Sequence, residues 1–263
     1  MYQIEKNMEI DEFSKNSILI VDDDRRMAKT LIDILSVKGF NATPAYDGKE
    51  ALSLINSTDF DCVLTDIKMP YINGVELYKS IKSIKPETPV ILMTAYATHN
   101  LVNEGIEAGA IGALTKPLDI NLLLSFFASI NKEQAIVIID DDPDFNKTIG
   151  DILRQRGYAI ENITSPDIIS NDYLINSDLV LLDLKIGDCD SLDLLSSIRD
   201  KFPHLPVIII TGYRNEMSKT IQTALSMGAY TCLYKPLEVE QLINKIIDIK
   251  KLRLKRLLNK SQF

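Results

Sequence analysis

Five positions in the first half of the chain could together handle a phosphoryl group. Asp22 and Asp23 follow the apolar run at 18–21, Asp66 follows the run at 62–65, Thr94 closes the run at 90–93, and Lys116 precedes Pro117. Three carboxylates brought together repel one another unless a cation sits among them. Their hard oxygens suit Mg²⁺, which takes few protein ligands and keeps several waters. A carboxylate can act as a nucleophile toward phosphorus and become an aspartyl phosphate. A lysine ammonium supplies a point charge for phosphoryl oxygens, and a hydroxyl can donate to one.

Each feature alone is weak. An acidic run after a strand is as often a solvated turn, and a Lys-Pro step as often a plain loop. Recurrence raises the signal. SILIVDDDRRM at 17–27 is matched by AIVIIDDDPDF at 135–145, and FDCVLTDIK at 60–68 by SDLVLLDLK at 177–185. TPVILMTAY at 88–96 is matched by LPVIIITGY at 205–213, and GALTKPLD at 112–119 by TCLYKPLE at 231–238. The second set is therefore Asp140, Asp141, Asp183, Thr211 and Lys235. A repeat with offsets of 117 to 119 residues means duplication of a whole domain, not a solenoid.

The elements that must carry these residues follow from the hydrophobic pattern. Short apolar runs near 18–21, 40–45, 62–65, 90–93 and 111–114 read as buried strands. Between them, segments such as 27–37 and 75–84 carry apolar residues at helical spacing, with Gly39 and Pro86 as stops. The second copy repeats this with strands near 135–139, 158–163, 178–182, 207–211 and 230–234. Five β-α units in each copy imply an α/β fold: two tandem (βα)5 domains, each a doubly wound parallel sheet. In such a sheet ligands bind at the carboxyl ends of the strands, where all five chemical positions fall.

Composition agrees with two such domains. At roughly 150 residues per domain, 263 residues make about two. With 46% hydrophobic and 25% charged residues, each half can bury a core, which excludes disordered, collagen-like and disulfide-scaffold chains. The net charge of -8 disfavours a nucleic-acid binder built on a basic surface. Cys62, Cys189 and Cys232 show no paired spacing and read as reduced thiols. With neither a signal peptide nor a membrane-length apolar run, a cytoplasmic protein is expected.

At this point the sequence resembles a known family. Both copies look like bacterial response-regulator receiver domains: an acidic pair, an acceptor Asp, a hydroxyl residue and Lys-Pro, in order, twice. The resemblance implies a flavodoxin-like receiver fold over 17–131 and 134–250, after a lead-in at 1–16 and before a basic helical tail at 251–263. It implies phosphoacceptors at Asp66 and Asp183 and one Mg²⁺ per site. The ligands would be Asp22, Asp23, Asp66 and the Lys68 carbonyl in the first site. In the second they would be Asp140, Asp141, Asp183 and the Lys185 carbonyl. Thr94, Lys116, Thr211 and Lys235 would contact the phosphoryl group, and cis bonds would precede Pro117 and Pro236. The implied activity is not that of an independent enzyme. It is Mg²⁺-dependent transfer from a histidine kinase or histidine phosphotransfer protein, with self-catalysed loss and output by protein contact. An adaptor with an unphosphorylated second copy, and a relay intermediate or phosphate sink, are the other readings.

The chain departs from the family pattern in two places. The switch aromatic three residues before the lysine is replaced by Ala113 and Cys232, so neither copy can report phosphorylation by turning a ring. After the acceptor, the first copy reads Met69-Pro70-Tyr71-Ile72-Asn73-Gly74, whereas the second has Gly187 for the proline and Ser191 for the last glycine. Lys68, Lys185, Tyr96 and Tyr213 border the sites and are bulky enough to slow hydrolysis. Finally, 249–263 carries six basic and no acidic side chains, with an apolar stripe through Leu252, Leu254, Leu257 and Leu258. The stripe fits a prolonged last helix, and also a homodimer contact, a membrane-surface contact or a short nucleic-acid arm.

Overall fold

The computed structural model describes residues 16–95, 100–132, 134–165, 171–187, 189–212 and 218–259. They form two compact units: one to Lys132 together with the chain from Lys250 onward, the other Glu133–Ile249.

In the first unit, β1 (Ser17–Val21), β2 (Asn41–Ala45), β3 (Cys62–Asp66), β4 (Val90–Thr94) and β5 (Gly112–Thr115) form a parallel sheet in the order β2-β1-β3-β4-β5. The central strands are buried on both faces, which is why their sequences are apolar without alternation. Pro44, which cannot donate to a ladder, lies on the edge strand β2. The helices α1 (Arg25–Val37), α2 (Gly48–Ser57), α3 (Gly74–Ile84), α4 (Asn100–Glu107) and α5 (Ile120–Ile130) supply two apolar layers. Leu31, Leu35, Phe126 and Phe127 pack with Ile18, Ile20 and Ile91 in one layer. Ile55, Leu77, Tyr78 and Ile81 pack with Leu19, Val63 and Leu92 in the other.

The second unit repeats the topology with β6 (Ala135–Ile139), β7 (Ala159–Ile163), β8 (Leu179–Asp183), β11 (Val207–Thr211) and β12 (Thr231–Tyr234), in the order β12-β11-β8-β6-β7. Its helices are α6 (Pro143–Arg154), α7 (Asn171–Ile175), α8 (Ser191–Lys201), α9 (Ser218–Ser226) and α10 (Val239–Asn259). A small antiparallel pair, β9 (Lys185–Ile186) with β10 (Cys189–Asp190), has no counterpart among the described residues of the first unit.

That difference has a steric cause. In the first unit the Gly74 Cα lies so close to the end of β3 that a Cβ would sit 2.2 Å from the Asp66 carbonyl oxygen. Ser191 holds the matching position and carries a Cβ, so the second loop cannot close in the same way. It folds as the β9–β10 pair instead, turning through Gly187 at φ 52, a conformation glycine adopts without penalty.

The basic tail at 251–263 continues the last helix, which runs Val239–Asn259 and so follows the prolonged-helix reading as far as Asn259. From Lys250 the helix α10 folds with the first unit. Leu254 and Leu258 are almost fully buried within the first unit's apolar layer beside Ile111, Leu114 and Phe126. The Arg253 guanidinium donates to the Ser129 carbonyl at 3.1 Å, and Lys251 lies 3.4 Å from Glu87. A Cβ on Gly112 would lie 2.7 Å from Leu258 Cδ1, so this strand start leaves room for the leucine. Two leucines of the apolar stripe are thus covered by the chain's own core, not held out for a membrane, a nucleic acid or a second copy.

Candidate functional site

The strand ends bring the predicted residues together. β1 delivers Asp22, β3 delivers Asp66, and β5 delivers Lys116. The register pairs Thr94 with Thr115, and the Lys116 amide donates to the Thr94 carbonyl at 2.7 Å, so β4 and β5 end side by side. The three consecutive acids after β1 separate by role. Asp22 is buried, Asp23 is exposed, and Asp24 caps α1 by accepting from the Arg26 and Met27 amides. The second unit does the same with Asp140 buried, Asp141 exposed and Asp142 capping α6. These caps satisfy amide groups a helix start leaves unpaired. In the sequence, the signal for each cap is an Asp just before a helical stripe.

The lysine is the internal counter-ion. Lys116 Nζ donates to Asp22 Oδ2 at 2.8 Å and to Asp66 Oδ2 at 3.1 Å. Asp22 also accepts from the Asp24 amide through its other oxygen at 2.9 Å. In the second unit Lys235 Nζ donates to Asp140 at 2.6 Å and to Asp183 at 3.2 Å, and Asp140 accepts from the Asp142 amide at 3.0 Å. Phe145 adds a ring 4.2 Å beneath Lys235, a cation–π contact at the position held by Met27 in the first copy.

Electrostatics mark the two acceptor positions. Burial pushes the Asp66 carboxyl above the usual carboxylate range, and the charge of Asp22 adds to this, while Lys116 pulls it back. Burial also raises Asp183, with Asp140 next and Lys235 opposing. Burial alone would lower the two lysines. Their hydrogen bonds to the carboxylates outweigh it, so both are held above the ordinary value and stay charged.

One ligand oxygen each from Asp22, Asp23 and Asp66 lies within 4.8 Å of the others, and Asp140, Asp141 and Asp183 form the same cluster. Two oxygens bound to one Mg²⁺ at about 2.1 Å are at most about 4.2 Å apart. Each trio therefore needs only a small closure to fit the ion, and the donor set is all hard oxygen. Of the remaining predicted residues, Thr94 and Thr211 are buried at the strand ends, and Lys68 and Lys185 are exposed on the loops after the acceptors. The backbones of Lys68 and Lys185 hydrogen-bond Asp66 and Asp183. Both Lys-Pro bonds, before Pro117 and Pro236, are cis. Ala113 and Cys232 are each partly buried against the α3 and α8 sides of their sheets. Tyr96 and Tyr213, expected to shield the sites, lie outside the described residues.

Comparison with known proteins agrees in both halves. The model of the family described as "Response regulator receiver domain" matches residues 18–128 and again 136–247. A response regulator receiver protein of Anaeromyxobacter sp. (strain Fw109-5) is 29% identical over 230 residues, covering 87% of this chain and 92% of that protein. The transcriptional regulatory protein ZraR of Salmonella typhimurium is 38% identical over 109 residues, 41% of this chain. The match spans only 25% of ZraR's own length. Among solved structures, the receiver domain of the Francisella response regulator 1452 is 34% identical, with a TM-score of 0.41, over 44% of this chain and 95% of that one. The Vibrio cholerae chemotaxis protein CheY4 is 28% identical, with a TM-score of 0.41, over 44% and 99%.

Proposed function

This chain belongs to the response regulator receiver domain family, carrying the domain twice, and from that premise we propose that it accepts phosphoryl groups on Asp66 and Asp183 from a phosphohistidine donor. The observation that carries the reading is the lysine of each unit, Lys116 or Lys235, bridging the buried acid of the pair and the strand-end acid beside it. The donor would be a histidine kinase or a histidine phosphotransfer protein, and the setting cytoplasmic. No helix among the described residues is long and apolar enough to cross a membrane, which is compatible with that setting.

The residues divide the work as follows. A carboxylate oxygen of Asp66 forms the new P–O bond as the donor's P–N bond breaks, and the imidazole leaves with its electron pair and takes up a proton. Lys116 keeps its contact with Asp22 and turns its remaining N–H groups toward the phosphoryl oxygens. Thr94 lies at the adjacent strand end, where its hydroxyl can donate to one of those oxygens. Asp22, Asp23, Asp66 and the Lys68 carbonyl would hold the Mg²⁺. Bound there, the ion would neutralise charge on the transferring group. Asp140, Asp141, Asp183, the Lys185 carbonyl, Thr211 and Lys235 would act in the same way. Phosphorylation and its slow loss are self-catalysed, so the protein is a signalling acceptor and not a turnover enzyme. With Ala113 and Cys232 in place of the switch ring, the signal leaves by another contact.

Borohydride trapping tests the assignment. An aspartyl phosphate is reduced to homoserine, which peptide mass mapping locates. Homoserine at residues 66 and 183, dependent on the phosphodonor and Mg²⁺, is the expected result. Labelling confined to other carboxylates would reject it.

A further inference from the structure

We infer that the second acidic cluster binds Mg²⁺ more weakly than the first, because the Gly187 amide already occupies Asp141. This inference rests on the reading of both units as Mg²⁺-dependent receivers. The Gly187 N–H donates to Asp141 Oδ2 at 2.8 Å. Asp141 is the exposed member of the second acidic pair and offers one of the three oxygens of that cluster.

Among the described residues the first unit has no equivalent donor. The residue four after Asp66 is Pro70, which lacks an N–H, whereas the residue four after Asp183 is Gly187. The loop conformation that aims this amide follows from Ser191, whose Cβ forbids the close approach made by Gly74. A hydrogen bond to a carboxylate is stronger than a neutral one and partly substitutes for a cation. Metal binding must give up this bond or share the oxygen, and Mg²⁺ tolerates little departure from octahedral geometry. The metal-free state of the second cluster is thus favoured by an interaction that the first lacks. Phe145 acts in the same direction by seating Lys235 against its carboxylates.

The charge of the second loop opposes this effect. Asp190 and Asp193 follow Asp183 in sequence, but both are exposed, and Asp190 caps α8 by accepting from the Leu192 amide. Exposed charges act through water and salt, with a Debye length of about 8 Å. A direct contact at hydrogen-bond distance outweighs them, and an affinity about tenfold lower in the second site is expected.

The test is a Mg²⁺ titration of the full-length, ¹⁵N-labelled protein, without phosphodonor, read by amide resonances in one sample. Lys68 and Lys185 report the two sites, and Gly187 reports the bond itself. The expected result is saturation of Lys68 at about tenfold lower Mg²⁺ than Lys185, with the Gly187 amide shifting in step with Lys185. A variant carrying Ile186→Met, Gly187→Pro, Asp188→Tyr, Cys189→Ile, Asp190→Asn and Ser191→Gly reproduces the first loop. It should bring the two sites together, although it removes two acids and so runs against the charge change. Equal affinities in the wild type, or tighter binding at Lys185, would overturn the inference while leaving the receiver reading intact. Silence at both reporters would instead reject the receiver reading, and this inference with it.

Discussion

The Lys116 ammonium donates to Asp66 at 3.1 Å across 50 residues of sequence, joining the end of β3 to the loop after β5. Asp66 is mostly buried beside a second acid, so this cation is what makes its charge tolerable. Replacing Lys116→Met should lower the stability of the metal-free protein by about 2 kcal/mol. That is less than the cost of breaking a fully buried pair, because the lysine retains some solvent access. Thermal melts in EDTA check this. An unchanged melt would mean the lysine does not hold the cluster together.

The pH dependence follows from the same carboxylates. Burial raises Asp66 and Asp183 in the folded state above the ordinary aspartate value. Between that value and the raised one, the folded state binds more protons than the unfolded state. Stability contributed by these groups therefore falls as pH rises through the window. In EDTA, Asp66→Asn and Asp183→Asn should each flatten the fall in melting temperature as pH rises above the ordinary aspartate range, and raise the melting temperature at neutral pH. A steeper fall in the variants would contradict the assignment.

Gly74 and Ser191 should not be interchangeable. Gly74→Ser places a Cβ 2.2 Å from a backbone oxygen and should cost about 3 kcal/mol. Ser191→Gly removes a side chain from a loop that does not need the close approach, and should change stability by about 1 kcal/mol or less. Chemical denaturation of the two variants gives both numbers.

The tail is predicted to be part of the first unit's core. Leu258→Ala should destabilise the protein by about 2–4 kcal/mol, as for other buried leucines. The Leu254→Asp, Leu258→Asp double variant should expose the basic segment to trypsin at Lys251, Arg253 and Lys255. Equal trypsin resistance in wild type and variant would show that the segment is not docked in solution.

The thiols should differ in reactivity. Burial pushes the Cys62 thiol far up and Cys232 to about 11, so neither forms thiolate at neutral pH. Cys189 lies half-exposed on β10 and should be alkylated first in the folded protein. Peptide mapping after a short iodoacetamide pulse distinguishes the order.

The core strands, the helices and the five chemical positions were legible because each rests on a local pattern: an apolar run, a helical stripe, or a polar residue ending a strand. The duplication made them readable by agreement between copies. The loop after the second acceptor was legible only as a difference. Gly187 and Ser191 announce a changed loop, but not that it forms β9 and β10 or that its amide reaches Asp141, because those are contacts between distant residues. The basic tail reads correctly as a prolonged helix but hides its seat for the same reason. Its charge suggested a solvated or partner-seeking helix, while the seat for Leu258 lies at Gly112, far away in sequence. Asp24 and Asp142 stand beside the acidic pairs in sequence, and only their capping geometry gives them to α1 and α6.

The central claim is phosphoryl acceptance at two aspartates, and intact-protein mass after incubation with acetyl phosphate and Mg²⁺ tests it most directly. The wild type should gain two phosphoryl masses, Asp66→Ala and Asp183→Ala one each, and the double variant none. No added mass in the wild type, or masses that persist in the double variant, would contradict the account.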